Sequence, residues 1–355
     1  MKYISLFSGI EAVSAVAKTL NWQPAAFSEI ADFPCAVLKY HYPDVPNLGD
    51  IRNINGKKYY GTVDFIAGGS PCQDFSISGK RAGLHGNRSS LAWEFCRILS
   101  EVQPKWFLWE NVPGVLSTNR GRDFYALLRE MENIGYGMAW RILDAQYFGV
   151  PQRRRRIFLV GHIGDWRPPA AVLFEPQSMP RDIKKSKRKQ CNTSGNIGTG
   201  SFKAMPGNFS SANMIYDFLH SGNVRTYDDT CPTLLSRMGT GGNQIPITFS
   251  AQSFAKIQAS HVGSTLKATG GMQDGGSENY VVQDLFVRKL IPLECERLQG
   301  LPDNYTDIPY KGKPNSPLSK RYEAIGNSIA VPVLKWIFKR MKKVQSLIKI
   351  QDNSI

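Results

Sequence analysis

Several things are scarce in this sequence, and each scarcity excludes a class of protein. The six cysteines, Cys35, Cys72, Cys96, Cys191, Cys231 and Cys295, are scattered, and no two form a Cys-x-x-Cys pair. That argues against a zinc ribbon or a dithiol redox motif. With the histidines equally dispersed, no metal is expected. Long apolar runs are missing as well, so no membrane span is expected. Met1-Lys2-Tyr3-Ile4-Ser5 enters a strand-like run directly rather than through a signal peptide. Together these features suggest a cytoplasmic protein with free thiols. Acidic residues are short: 29 against 44 Lys and Arg, a formal net charge of +15. Such a surplus suits a polyanionic partner, nucleic acid above all, although a basic surface also serves solubility. Finally, the first strand is not followed by a full Gly-x-Gly-x-x-Gly turn, which argues against a nucleotide-dependent dehydrogenase.

What is present is enough chain for two domains, 355 residues with 42% hydrophobic. Up to about residue 165, short apolar runs alternate with helical patterns. Tyr3 to Phe7, Ala25 to Ser28, Val63 to Ala67, Trp106 to Trp109, Trp140 to Leu143 and Ile157 to Val160 read as strands. Ala12 to Leu20, a stretch ending at Leu38, Leu91 to Val102 and Asp123 to Ile134 read as helices. This alternation predicts a parallel sheet with helices on both faces, whose ligands lie outside the carboxyl ends of the strands. The pattern stops at Trp166-Arg167-Pro168-Pro169. From there to about Asp284 the chain is rich in Gly, Ser, Thr and Asn, with a basic run at Arg181 to Lys189. A structureless loop of that length is rare, so a second, smaller, irregular domain is expected over 166–284, with 1–165 and 285–355 forming the first. Helical patterns return at Ile291 to Leu298 and Ile329 to Met341.

Chemistry concentrates at the expected strand ends. Ser8-Gly9 opens the first helix, where a glycine and a helix N-terminus favour close approach of an anionic group. Glu29 ends the second strand, where a carboxylate can accept from both hydroxyls of a ribose; read alone, it serves equally as an exposed acid. Asp50, after Gly49, is a similar candidate. Gly68-Gly69-Ser70-Pro71-Cys72-Gln73 projects a cysteine from a rigid small-residue turn, which favours a nucleophile over a structural thiol. The loop that follows is polar and positive, with Ser76, Ser78, Lys80, Arg81 and Arg88, and suits a lid over a phosphate backbone. Trp109-Glu110-Asn111 adds a carboxyl and an amide. In Gln152-Arg153-Arg154-Arg155-Arg156, alternation in an extended segment turns Arg154 and Arg156 to one face; a surface patch explains the run equally well.

In order and spacing these motifs resemble those of the cytosine-C5 DNA methyltransferases, from Tyr3 to about Val333. Pro71-Cys72-Gln73, Glu110-Asn111-Val112, Gln152 to Arg156, Arg288 to Pro302 and Ala324-Ile325-Gly326-Asn327-Ser328 carry the resemblance. It implies a doubly wound, mostly parallel, Rossmann-like α/β sheet that binds S-adenosylmethionine, plus a smaller target-recognition domain. It also implies a set of roles. Phe7 stacks on the adenine of S-adenosylmethionine, and Ser8, Gly9 and Ile10 line its amino-acid end. Glu29 holds the ribose, Asp50 and Ile51 meet the adenine edge, and Pro71 and Leu91 pack beside the cofactor. Asn327 and Ser328 close over it. Cys72 attacks carbon 6 of a cytosine flipped out of duplex DNA; Glu110 meets ring nitrogen 3 and the exocyclic amine; Arg154 holds the base oxygen; Arg156 supports Glu110. Gln73, Ser76, Ser78, Arg81, Arg88 and Thr265 contact DNA. Arg237 is a candidate for reading a guanine, since arginine bonds bidentately to its major-groove edge; a phosphate contact is the alternative. The partner implied is double-stranded DNA, met as a monomer, alongside a restriction endonuclease of the same specificity where the setting is restriction–modification. One departure stands out: Glu11 and Ala12 occupy positions where that family usually has two glycines, which removes backbone freedom and adds a carboxylate near the cofactor. Two rivals remain: the tRNA-methylating branch of the family, against which the large middle domain argues, and a DNA-binding protein that has lost catalysis.

Overall fold

In the computed structural model, residues 1–71, 91–175, 214–218, 224–228, 247–249, 281–283, 286–288 and 290–352 are described. The chain packs as two units. The first comprises Met1–Asp144, Arg155–Lys184 and Val333–Ile355; the second comprises Ala145–Arg154 and Lys185–Pro332. The described helices are α1 (Ala12–Ala17), α2 (Asp32–His41), α3 (Leu91–Val102), α4 (Arg122–Asn133), α5 (Arg167–Leu173), α6 (Pro292–Gln299), α7 (Leu318–Asn327) and α8 (Val331–Asp352).

The first unit is built on six strands, β1 (Lys2–Leu6), β2 (Gln23–Ser28), β3 (Phe65–Gly68), β4 (Trp106–Asn111), β5 (Tyr136–Asp144) and β6 (Arg155–Ile163), in the order β2-β1-β3-β4-β6-β5. The pairs β1–β2, β1–β3 and β3–β4 are parallel. Strand β6 runs antiparallel to both β4 and β5. The sheet is mostly parallel, as expected; the strand–helix alternation by itself suggests parallel neighbours. It fails at β5–β6 because only Ala145 to Arg154 joins them, and a parallel crossover needs a dozen or more residues.

Every residue of β3 and β4 is buried, as expected for strands covered on both faces. Alternate residues divide the core. Ile4, Leu6, Ile66, Phe107 and Trp109 face one cluster with Phe95, Leu99 and Leu127 of α3 and α4. On the opposite side Phe65 and Trp22 pack on Phe338 of α8, with ring centroids 5.3 and 5.0 Å away. The Trp106 indole donates to Gln345 Oε1 at 2.5 Å. The parallel register brings the carboxyl ends of β1 to β4 to one sheet edge, and β6 begins at that same edge because it runs against β4.

The second unit carries the strands β7 (Met214–Phe218), β8 (Val224–Asp228), β9 (Ile247–Phe249), β10 (Val281–Gln283) and β11 (Phe286–Arg288), in the order β11-β10-β9-β7-β8. A region expected to be irregular therefore holds a sheet; its strands are so short and Gly-flanked that no period-2 run reveals them. Helices α6 and α7 are tied by Gln299 Nε2 donating to the Ile325 carbonyl at 2.9 Å and by the buried Arg321–Glu296 pair at 3.1 Å. Nor does the regular pattern end at Trp166: α5 begins there, because Pro168 and Pro169 fall in its first turn, where a missing N–H costs nothing. No described helix is long and apolar enough to cross a membrane.

Candidate active site

The turn after β1 alternates in handedness. Phe7, Gly9 and Glu11 have φ of 52°, 54° and 65°, and the residues between them anchor the turn. Ser8 N–H donates to the Ser28 carbonyl at 3.0 Å and its hydroxyl to the Ser5 carbonyl at 2.9 Å. Gly9 N–H donates to Glu29 Oε2 at 2.8 Å. The other oxygen of Glu29 accepts the N–H groups of Ile30 and Ala31, both at 2.9 Å. Asn47 brackets the Glu29 main chain, accepting its N–H and donating to its carbonyl, both at 3.0 Å. A Cβ placed on Gly9 would meet nothing within 4 Å. Open space thus adjoins a half-exposed carboxylate at a strand end, which fits a ligand carrying vicinal hydroxyls.

Phe7 and Leu91 are partly buried against the core cluster that contains Ile51, and Ile10 is buried. The Asp50 carboxylate takes a two-pronged bond from Arg52, Nε at 3.0 Å and Nη2 at 2.5 Å, which holds its carboxyl below the usual range.

Glu11 departs from what its position suggests. It keeps the left-handed conformation that glycine adopts without strain, and its carboxylate turns inward rather than toward the open space. Oε1 caps α1, accepting the Ser14 N–H at 3.0 Å and the Ser14 hydroxyl at 2.8 Å, and Ser14 in turn meets the Tyr3 hydroxyl at 2.6 Å. These capping bonds offset the backbone strain. Burial pushes the carboxyl up to about 7, against the opposing pull of the Ser5 and Ser14 groups.

The second cluster forms where β3 and β4 end. Glu110 is buried, and Arg156 Nε lies 3.2 Å from its Oε1. The antiparallel register sets Asn111 opposite Ile157, so Arg156 reaches the Glu110 carboxylate from the start of β6. A Cβ on Gly69 would lie 2.8 Å from Glu110 Oε2, so only glycine leaves that carboxylate room. Ser70 is buried and held from β4: its hydroxyl accepts the Trp109 indole N–H at 3.1 Å and its carbonyl accepts Asn111 Nδ2 at 2.9 Å. Pro71 is exposed. Cys72, Gln73, Ser76, Ser78, Arg81, Arg88, Arg237 and Thr265 lie outside the described residues.

In the second unit Gln152 and Arg154 are buried while Arg153 is exposed, the alternation an extended segment imposes. Arg154 Nη2 donates to the carbonyls of Gly326 and Ser328 at 3.1 and 2.7 Å, and Gln152 Nε2 to the Leu298 carbonyl at 2.8 Å. Asn327 is exposed at the end of α7 and Ser328 is buried. Sequence reasoning passed over Asn47 and Ser70, whose only signal was a small polar residue in a Gly/Pro-rich turn, and gave Trp109 no role. Among the described residues no group of three or more His, Cys, Asp or Glu could hold a metal.

The structure is thus a mostly parallel α/β sheet whose carboxyl edge gathers the Glu29 carboxylate after β2 and, three strands along, the Glu110–Arg156 pair of β4 and β6. A family model described as C-5 cytosine-specific DNA methylase matches residues 1–343, and the chain belongs to that family. Type II methyltransferase M1.ScrFI of Lactococcus lactis subsp. cremoris is 30% identical over 97% of this chain and 78% of its own length. Type II methyltransferase M.Sau3AI of Staphylococcus aureus is 24% identical, over 98% and 97%. A protein of Escherichia phage P1 named DNA N-6-adenine-methyltransferase is 31% identical over 96% of this chain, which spans 61% of that relative's length. Among solved structures, S. pombe Dnmt2 methyltransferase superposes with a TM-score of 0.62 at 16% identity, covering 97% of this chain and 98% of that one. A putative DNA modification methyltransferase encoded within an E. coli prophage gives 0.57 at 19%, covering 98% and 99%.

Proposed function

We propose that this protein transfers a methyl group from S-adenosylmethionine to carbon 5 of a cytosine flipped out of duplex DNA, through a covalent adduct between Cys72 and carbon 6. The observation that carries the reading is the Glu110–Arg156 pair, packed against Gly69 three residues before Cys72. S-adenosylmethionine, when bound, supplies a methyl group made electrophilic by its positive sulfur. Glu29 is proposed to hold the ribose, with Ser8, Gly9 and the aromatic face of Phe7 beside it and Ile10, Asp50, Ile51, Pro71 and Leu91 completing that half. From the second unit the same reading assigns Arg154 to the base oxygen, and Asn327 and Ser328 to the cofactor's amino-acid end.

Carbon 5 of cytosine is too poor a nucleophile to attack a sulfonium methyl unaided. The Cys72 thiolate donates its electron pair to carbon 6, and the ring becomes enamine-like. The Glu110 carboxyl, oriented by Arg156, donates its proton toward nitrogen 3 and accepts from the exocyclic amine, which offsets the negative charge that develops on the ring. Carbon 5 would then take the methyl group as its bond to the cofactor's sulfur breaks, leaving neutral S-adenosylhomocysteine; carbon 5 loses its proton to a base, and the carbon 6–sulfur bond breaks to restore the double bond and the thiolate. A stacked base is out of reach, so flipping is required, at a few kcal/mol. Residues 166–284 are proposed to read the target, with Arg237 and Thr265 among the contacts, and Gln73, Ser76, Ser78, Arg81 and Arg88 to touch the DNA beside the flipped base. The setting proposed is a monomer acting on double-stranded DNA, alongside an endonuclease of matching specificity where one is present.

The name of the phage P1 relative makes the methylated atom the point to test. Duplex DNA methylated by the purified protein is digested and its nucleosides measured for both products. 5-Methylcytosine is expected; N6-methyladenine in its place would overturn the proposal, and methylation of tRNA but not of duplex DNA would transfer it to another substrate.

A further inference from the structure

We propose that Ser70 is a positioning residue for the nucleophile and that the indole of Trp109 and the amide of Asn111 clamp it. The inference rests on the reading of Cys72 as the nucleophile and adds to it how the chain is aimed.

The clamp holds both oxygens of one residue. The Ser70 hydroxyl accepts the Trp109 indole N–H at 3.1 Å and lies 3.4 Å from Asn111 Nδ2, while the Ser70 carbonyl accepts that same Nδ2 at 2.9 Å. Neither donor is adrift. Trp109 is fully buried and packs on Phe124, with ring planes inclined by 28° and centroids 6.2 Å apart. The Asn111 Oδ1 accepts the Val112 N–H at 2.8 Å, which fixes the orientation of the amide. All three residues come from the ends of two neighbouring parallel strands, β3 and β4, whose register sets Gly68 beside Trp109.

The consequence follows from counting torsions. One bond to the carbonyl would leave Ser70 free to pivot about it; because the hydroxyl is held by Trp109 as well, the plane of the peptide joining Ser70 to Pro71 is fixed. Pro71 holds its own φ near the value its ring imposes. Between this anchored plane and the Cα of residue 72, one soft torsion remains. A free turn would have several. Small displacements of a reacting atom are costly in rate, so a chain held to a single rotation two residues before the thiol has a catalytic purpose beyond stability.

A bland alternative is that Ser70 merely satisfies a buried indole. The two are separable. Ser70→Ala leaves the Trp109 N–H without its partner and is expected to lower the melting temperature. Trp109→Phe removes that donor. Trp109→Phe carries its own cavity cost, but with the indole N–H gone Ser70→Ala is expected to add little further loss of melting temperature in the double variant. The readouts are melting temperature, affinity for S-adenosylmethionine, and the rate of covalent adduct formation with duplex DNA carrying 5-fluorocytosine. The expected result is unchanged cofactor affinity, adduct formation slowed at least about tenfold in both single variants, and a double variant that melts no lower than Trp109→Phe alone yet does not regain its rate. Recovery of rate together with stability would overturn the clamp, as would single variants that match the native rate. If the native protein itself forms no adduct, the nucleophile reading falls and the clamp falls with it.

Discussion

Glu29 and Glu110 end parallel strands of one sheet, yet their surroundings differ in kind. Glu29 is half exposed and is held by the backbone N–H groups of Gly9, Ile30 and Ala31. Glu110 is buried and is held by a guanidinium. Backbone donors fix the carboxylate without any charge of their own and leave it facing open space beside Gly9, which suits recognition of neutral hydroxyls. A guanidinium partner and a Gly69 with no room for a side chain suit a group that must stay aligned while charge develops on a ring. Proximity to the sheet edge is common to both; the immediate donor set separates binding from chemistry. Glu11 shows the same lesson from the other side. It lies on the same turn as Gly9 but faces inward, and its chemistry is that of a helix cap.

Substitutions can break this contrast. The largest effect is expected at Glu110: Glu110→Gln is expected to lower kcat by about 10²–10³, the range for losing one preorganised electrostatic contact, with affinity for S-adenosylmethionine unchanged by calorimetry. A parallel loss of cofactor affinity would mean that the two carboxylates are not distinct in function.

Next comes Glu11, through pH. Its folded-state carboxyl is raised from 4.5 to about 7, so the protonated form is favoured by folding. The stabilisation is fully present below the unfolded value and is lost as pH rises through about 7. That amounts to on the order of 3 kcal/mol across the window. Melting curves from pH 5 to 8 are expected to fall with rising pH in the native protein and to flatten in Glu11→Gln. A profile that is the same in both would show that Glu11 does not carry the effect.

At Glu29 the expected loss is smaller. Glu29→Ala removes hydrogen bonds worth about 1.5–3 kcal/mol each to a charged group, rarely additive in a pair, so S-adenosylmethionine binding is expected to weaken by about 10–100-fold while turnover at saturation is largely kept. Unchanged affinity would remove Glu29 from the cofactor site.

The smallest effect sharpens the contrast between the two glycines. Gly9→Ala meets open space and bears only left-handed backbone strain, about 1–2 kcal/mol. Gly69→Ala places a Cβ 2.8 Å from Glu110 Oε2, and is expected to lower turnover without changing the cofactor's Kd. Equal effects of the two on turnover would erase the distinction.

Much of the first unit was legible in the sequence because its strands are continuous apolar runs and its helices strongly amphipathic. The expected helix over Leu91 to Val102 coincides with α3. The motifs at Glu29, Gly68 to Pro71 and Glu110 all fall at the carboxyl edge, because the turns that follow parallel strands lie there and are where such sheets bind ligands. Three things escaped. The antiparallel β5–β6 pair depends on the length of one connection rather than on periodicity. Helix α7 was hidden because its buried positions include Arg321 and Gly326, which read as polar or flexible. The inward turn of Glu11 was illegible because an acid on a ligand-binding turn reads as a ligand group; the capping bond to Ser14, three residues on, decides otherwise. The alternation of Arg153 to Arg156 was legible, but not the partners: Arg154 meets main-chain carbonyls and Arg156 meets a carboxylate.

The most direct measurement is to trap and map the adduct. Native protein is incubated with S-adenosylmethionine and duplex DNA containing 5-fluorocytosine at its target, where fluorine cannot depart as the proton does, and the cross-linked peptide is sequenced by mass spectrometry. The expected result is one cytosine joined through sulfur to Cys72, with no cross-link in Cys72→Ser. An adduct on another cysteine, or methylation by Cys72→Ser at a rate comparable to that of the native protein, would contradict the mechanism proposed for this site.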